Sequence, residues 1–145
     1  MEIHTIGFAK RPAREFFGAL KAAGIQQVLD IRLHNTSQLA GFTKRDDLAF
    51  FLAELCGAAY VHEPLLAPTE EILKAYKKKK SGWPEYEASF LALLAERKPE
   101  DKLDRKFFDK RTVLLCSEPS AEHCHRRLVS EYLKAKWGDV KIVHL

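Results

Sequence analysis

The stretch Val113-Leu114-Leu115-Cys116-Ser117-Glu118-Pro119-Ser120-Ala121-Glu122-His123-Cys124-His125-Arg126 decides the fold class. Three aliphatic residues running into a thiol read as a strand covered on both faces, because such a strand shows a continuous apolar run instead of alternation. Ser117 to Ser120 is turn chemistry. From about Ala121 to Lys136 the apolar residues recur at helical spacing, and Gly138 stands just past the last turn. A strand passing through a short turn into a helix is the repeating unit of a parallel sheet clothed by helices.

Outward from there, the same unit recurs. Ile3-His4-Thr5-Ile6, closed by Gly7, reads as a first strand. The helix after it has Pro12 near its first position, Phe16, Phe17, Leu20 and Ala23 on one face, and Gly24 as its stop. Val28 to Ile31 reads as a second strand, in which Asp30 is a charge that needs a partner. Thr43 is expected as an N-cap, followed by Asp46 and Asp47 in the first turn. Leu48, Phe51, Leu52 and Leu55 then form a stripe that Gly57 ends. Ala59 to His62 is a third strand, and Pro64 and Pro68 frame a loop. Thr69 caps a helix running through Tyr76 into Lys77–Lys80; Ser81-Gly82 breaks it, and Pro84 starts another with Tyr86, Phe90, Leu93 and Leu94 on one face. Asp101 to Lys110 reads equally as helix or loop, and Val140 to Val143 supplies a last strand. The expectation is one α/β domain over residues 1–145, with a mostly parallel sheet of about five strands flanked by helices. Strand order is not legible.

Composition bounds the rest. The 145 residues carry 24 Lys plus Arg against 20 Asp plus Glu, a formal charge of +4, with 46% apolar and 30% charged residues. That is an ordinary globular balance, and a chain this long buries roughly 68–70% of its unfolded surface in one core. No apolar run approaches the ~20 residues of a membrane span, and the N-terminus lacks a signal-peptide pattern. Three cysteines cannot all pair, so a reducing, cytoplasmic setting fits better than a disulfide framework. The basic excess permits an anionic small molecule or nucleic acid as partner and does not demand either.

Ligands of open parallel sheets bind outside the carboxyl ends of the strands. Gly7, Asp30-Ile31-Arg32 and Cys116 fall at those ends. A thiol between a strand and a helix N-terminus meets unpaired N–H groups that favour a thiolate or a bound anion. Each residue also has a plainer reading. Cys116 continues an apolar strand; Cys124 shares a helical stripe with Ala121, Leu128, Tyr132 and Ala135; His125 aligns with Val129 and Leu133. Arg126 and Arg127 in a first helical turn oppose the dipole, which invites an anion, although solvent serves as well. Asp30 and Arg32 share one side of a strand and can form a local ion pair or hold a ligand. Cys56 reads as packing, and the lysines at 77–80 as a solvated helix end.

Metal is disfavoured. Seven residues separate Cys116 from Cys124, no C-x-x-C pair occurs, and adjacent Cys124 and His125 on a helix would point about 100° apart. Phosphate-loop, dinucleotide and nucleophile-elbow fingerprints are absent. A phosphatase-like or rhodanese-like loop fails on spacing, since Arg126 lies ten residues past Cys116.

Thr5-Ile6-Gly7, Asp30-Ile31-Arg32 and Cys116-Ser117-Glu118…Cys124-His125-Arg126 together resemble the three blocks of the domain of unknown function 488 family. Asn35 to Phe42 and Leu66 to Thr69 resemble one branch of it. Where many members carry His-Ser after the first-block Gly, this chain has Phe8-Ala9. The resemblance implies a small cytosolic α/β protein of bacterial or archaeal type. It also implies a joint site from Asp30, Arg32, Cys116, Glu118, Cys124, His125 and Arg126, and no particular reaction or cofactor.

The leading expectation is a small enzyme acting on a phosphorylated or other anionic substrate. Cys116, Glu118 and His125 are its candidate catalytic residues; Asp30, Arg32, Cys124 and Arg126 are candidates for binding. The rivals are a nucleic-acid-binding module and a non-catalytic protein whose Cys-His-Arg cluster fastens the last helix.

Overall fold

The computed structural model describes residues 1–36, 41–78, 82–118 and 120–145. Five strands form one parallel sheet: β1 (Glu2–Gly7), β2 (Gln27–Asp30), β3 (Ala59–His62), β4 (Thr112–Cys116) and β5 (Lys141–His144). Their order across the sheet is β3-β2-β4-β1-β5. Helices α1 (Ala13–Ala22), α2 (Arg45–Phe51), α3 (Glu70–Lys77), α4 (Trp83–Arg97), α5 (Pro99–Lys102) and α6 (His125–Trp137) connect and cover it. The mostly parallel α/β architecture expected from the sequence is therefore present. No helix among the described residues is long and apolar enough to cross a membrane.

Alternation along the strands makes two cores, one on each face. On one face Ile6, Val28, Val113 and Leu115 meet Phe16, Phe17 and Leu20 of α1 and Leu48 and Leu52 of α2. On the other, Ile3, Leu29 and Leu114 meet Tyr86, Phe90 and Leu94 of α4 and Leu128, Val129 and Leu133 of α6. Each fully buried Leu or Phe contributes roughly 1.5–3 kcal/mol by leaving water, so these two layers dominate the fold's stabilisation. They also decide where a site can open. β4 leads into α6 on one face, while its neighbours β1 and β2 lead toward α1 and α2 on the other. The chain parts at the carboxyl end of β4, which is where an open sheet forms its crevice.

Three element ends differ from the sequence expectation. The N-cap before α2 is Lys44, with Thr43 closing a short 3₁₀ turn and buried. The turn after α2, Leu52–Cys56, is π-helical, and this wider spacing carries Leu55 off the apolar stripe to 47% exposure. The last helix starts at His125 and not near Ala121. Cys124 is its N-cap, with extended backbone angles of −141° and 140°. The ambiguous segment 101–110 resolves into the end of α5 and a 3₁₀ turn, Arg105–Asp109. Thr69 caps α3 as expected, its hydroxyl accepting from the Ile72 N–H. The expected readings at Ser37–Ala40, Lys79–Ser81 and Pro119 lie outside the described residues.

Gly7 holds the crevice together by what it lacks. A Cβ there would sit 1.6 Å from the Glu118 carbonyl oxygen and 2.2 Å from Arg126 Nη1. The strand end and the β4–α6 loop approach as backbones, and neither can retreat without disturbing a core layer. Gly7→Ala is expected to cost at least ~2 kcal/mol, read as a lower denaturant midpoint at unchanged slope. Gly18, inside α1 with nothing within 4 Å of a built Cβ, is the control. Gly18→Ala is expected to gain about 0.5–1 kcal/mol.

Candidate active site at the carboxyl end of the sheet

The cavity at this crevice has a volume of about 180 Å³, and its wall includes Arg32, His34, Tyr76, Lys77, Trp83, Tyr86, Cys116, Glu118, His123, Cys124 and His125. Cys116 ends β4 with its side chain on the α4/α6 face, following Leu114 by the strand's alternation. Because Cys124 is an extended N-cap and not a helical residue, its thiol turns back toward β4. The two sulfurs lie 2.7 Å apart as free thiols. His125, the first residue of α6, places Nδ1 at 3.4 Å from Cys116 Sγ. Phe90 packs edge-on against the imidazole at 5.4 Å.

The second ring nitrogen of His125 fixes the tautomer. Nε2 lies 2.8 Å from the carbonyl oxygen of Ile31, the residue after β2. A carbonyl only accepts, so Nε2 carries a hydrogen and donates it. Nδ1 is then left to face the thiol, either bare and accepting from S–H or protonated and donating to a thiolate. Burial disfavours the Cys116 thiolate. The bond from the Cys124 thiol, the charge and ring N–H of His125 and the Glu118 backbone N–H outweigh burial and hold the Cys116 pKa well below the ordinary thiol value. His125 responds in kind: burial lowers its pKa, and the Cys116 charge and hydrogen bond, the Ile31 carbonyl and Asp30 raise it above the usual histidine value. Cys124 goes the other way. Burial, followed by its bond to Cys116 and the charge of Cys116, pushes its thiol up. One sulfur is thus biased to ionise and its neighbour to stay protonated.

Asp30 and Arg32 do form the local pair that their spacing allows. Arg32 Nε and Nη2 donate to the two Asp30 oxygens at 2.8 Å each, and Nη2 also donates to the Thr43 carbonyl at 2.8 Å. Tyr60 donates its hydroxyl to Asp30 at 2.5 Å, and burial together with that bond pushes the Tyr60 pKa up. Asp30 is fully buried and Arg32 is 4% exposed, so neither charge is discounted by solvent. Arg32 is among the residues lining the cavity, and its buried Nη1 has no hydrogen-bond partner among the described residues.

The seven expected site residues are thus brought to one end of the sheet with different placements. Cys116, Cys124, His125, Arg32 and Glu118 line the cavity. Asp30 does not line it; it pairs with Arg32 and accepts from Tyr60 of β3. Arg126 is not among the cavity-lining residues; its Nη1 donates to the Glu118 carbonyl at 2.6 Å and fastens the loop over Gly7. Cys56 packs beside Phe17 as expected. Sequence reasoning missed Tyr60, the Ile31 and Thr43 carbonyls, and the aromatic wall. Tyr60 was reachable only through the register Val28↔Tyr60 and Asp30↔His62, and the carbonyls carry no side-chain signal.

The geometric objection to metal does not hold in the form the spacing suggested. With Cys124 outside the helix, the ligand atoms of Cys116, Cys124 and His125 lie within 4.8 Å of one another. The sulfur separation of 2.7 Å is nevertheless about 1 Å less than two thiolates take around tetrahedral zinc with bonds near 2.3 Å. The three remain a candidate ligand set, and as they stand they form a thiol pair with a base beside it.

With this geometry in hand, comparison with known proteins gives one match. Residues 12–133 match the family described as Domain of unknown function DUF488. The chain belongs to that family. The match spans the second and third sequence blocks, each of which contributes residues to the cavity wall. No curated protein and no solved structure matches this DUF488 chain.

The ion pair behind the cavity yields a test. Asp30→Ala would strand a buried guanidinium and is expected to cost about 3–5 kcal/mol. Tyr60→Phe removes one bond from a carboxylate that keeps its Arg32 partner, and about 1.5–3 kcal/mol is expected. Denaturant midpoints measure both, and equal losses would contradict the central place of Arg32.

Proposed function

We propose that this DUF488 protein is an enzyme that uses Cys116 as a nucleophile on a small anionic substrate. The observation that carries the reading is the chain Cys116 Sγ–His125 Nδ1, with His125 Nε2 committed to the Ile31 carbonyl. Nucleophile, base and orienting group stand in the order that activated thiols require. In the reaction, the sulfur's electron pair forms a bond to an electrophilic carbon or phosphorus. The leaving group departs with the proton that His125 Nδ1 held. The Glu118 backbone N–H, which helps to hold the Cys116 pKa down, is the donor for the negative charge that gathers there. Arg32 Nη1 takes the substrate's anionic group, and Asp30 positions Arg32 by filling its other edge.

The size of the cavity supports a small molecule over a nucleic-acid strand: about 180 Å³ admits one compact group, not successive phosphates. Free thiols that need to stay reduced fit a cytoplasmic location.

Iodoacetamide labelling across pH tests this reading, with Cys56 as the internal reference. The rate at Cys116 is expected to show a midpoint well below about 8.5, falling only in acid as the thiolate is protonated. The direction follows from its lowered pKa. His125→Ala should slow labelling at pH 7 about 30-fold, the loss expected if the thiol returns to an ordinary pKa near 8.5. Millimolar phosphate or sulfate should protect Cys116 and leave Cys56 unprotected. A midpoint at or above the ordinary thiol value, or no protection by any anion, would overturn the reading.

A further inference from the structure

The proposed reaction gives no role to Cys124, whose buried thiol touches the nucleophile. We propose that Cys116 and Cys124 form a reversible redox pair, in which Cys116 is oxidised by hydroperoxides and Cys124 resolves it to a disulfide. The inference rests on the 2.7 Å contact between two free sulfurs and on the shared base beside them. It needs a reactive Cys116 but no anionic substrate, so it can stand where the proposed reaction fails.

The geometry favours this chemistry in three ways. The sulfurs sit inside ordinary non-bonded contact, and about 0.7 Å of further approach brings them to bonding distance. Cys124 is an N-cap at the end of a loop and not a residue inside α6, so its thiol can move without breaking a helical turn. Both thiols line the same cavity as His125, which gives a small peroxide a route to the Cys116 sulfur.

The steps balance. The Cys116 thiolate attacks one peroxide oxygen; an S–O bond forms and the O–O bond breaks. Sulfur is oxidised to the sulfenic acid, and the departing alkoxide leaves as the alcohol with the proton from His125 Nδ1. The Cys124 sulfur then attacks the Cys116 sulfur, an S–S bond forms and the S–O bond breaks. The released hydroxide takes up the Cys124 proton and leaves as water. A dithiol reductant reverses the disulfide by exchange. While oxidised, Cys116 is no nucleophile, and it is kept from the irreversible sulfinic state.

The test uses the full chain and hydrogen peroxide at pH 7. Trypsin leaves both cysteines on one peptide, residues 112–126, because no Lys or Arg intervenes between Arg111 and Arg126. After one equivalent of peroxide that peptide is expected to become about 2 Da lighter, and dithiothreitol should restore it. In Cys124→Ser the same peptide should instead gain about 16 Da in a form trapped by dimedone, then about 32 Da with excess peroxide. Should that variant fail to fold, the wild-type peptide decides alone. A wild-type peptide that gains oxygen without losing hydrogen, or that stays unchanged in excess peroxide, overturns the proposal. Fast, low-pH labelling of Cys116 without disulfide formation would overturn only this inference. Disulfide formation with no anion protection would overturn only the proposed reaction.

Discussion

The bond from His125 Nε2 to the Ile31 carbonyl is the constraint on which the site depends. It joins the first residue of α6 to the exit of β2 across the crevice. It also decides which nitrogen faces Cys116. The exit of β2 is itself pinned from several sides. Ile31 N–H donates to the Leu115 carbonyl, Glu63 N–H to the Asp30 carbonyl, and His62 Nε2 to the Arg32 carbonyl. The Ile31 oxygen therefore cannot drift, and the imidazole that donates to it cannot turn over. Phe90, packed edge-on against the ring, closes the remaining freedom.

Around that bond the crevice divides its charges between the two faces of the sheet. On the α1/α2 side, Asp30 and Arg32 neutralise each other in full burial, with Tyr60 and the Thr43 carbonyl taking further bonding capacity. On the α4/α6 side, Cys116 and His125 form the second pair. A buried pair of this kind adds little net stability, because desolvation offsets most of its attraction. Its worth lies in placement: one pair holds a buried cation at the exit of β2, and the other sets a thiol biased to ionise beside a base.

Much of this was legible in the sequence. The alternation of aliphatic runs with 3.6-residue stripes predicts the five strands of the sheet and the parallel α/β class, and burial on both faces leaves its strongest pattern in β1, β2 and β4. The three polar blocks at strand ends predicted where the crevice would open. Other features were not legible, each for a physical reason. Strand order depends on which loops pass over β1 and β4, and no local pattern encodes that. α6 starts about one turn later than the apolar stripe suggests, because Ala121 and Cys124 fit that stripe whether or not the backbone there is helical. That shift leaves Cys124 buried, as expected, but turns its thiol toward Cys116. The tight passage of Glu118 over Gly7 shows in the sequence only as a glycine after a strand, and the role of the Ile31 carbonyl leaves no side-chain trace.

With Nε2 held by Ile31, the lowered Cys116 pKa and the raised His125 pKa point to a proton shared as thiolate and imidazolium. Nitrogen-15 NMR of the His125 ring near pH 7 tests it most directly, because each ring nitrogen reports its own protonation. Both nitrogens are expected to carry hydrogen at that pH, and Cys116→Ser is expected to leave only Nε2 protonated. A wild-type ring already neutral at Nδ1, unchanged by removing the sulfur, would contradict it.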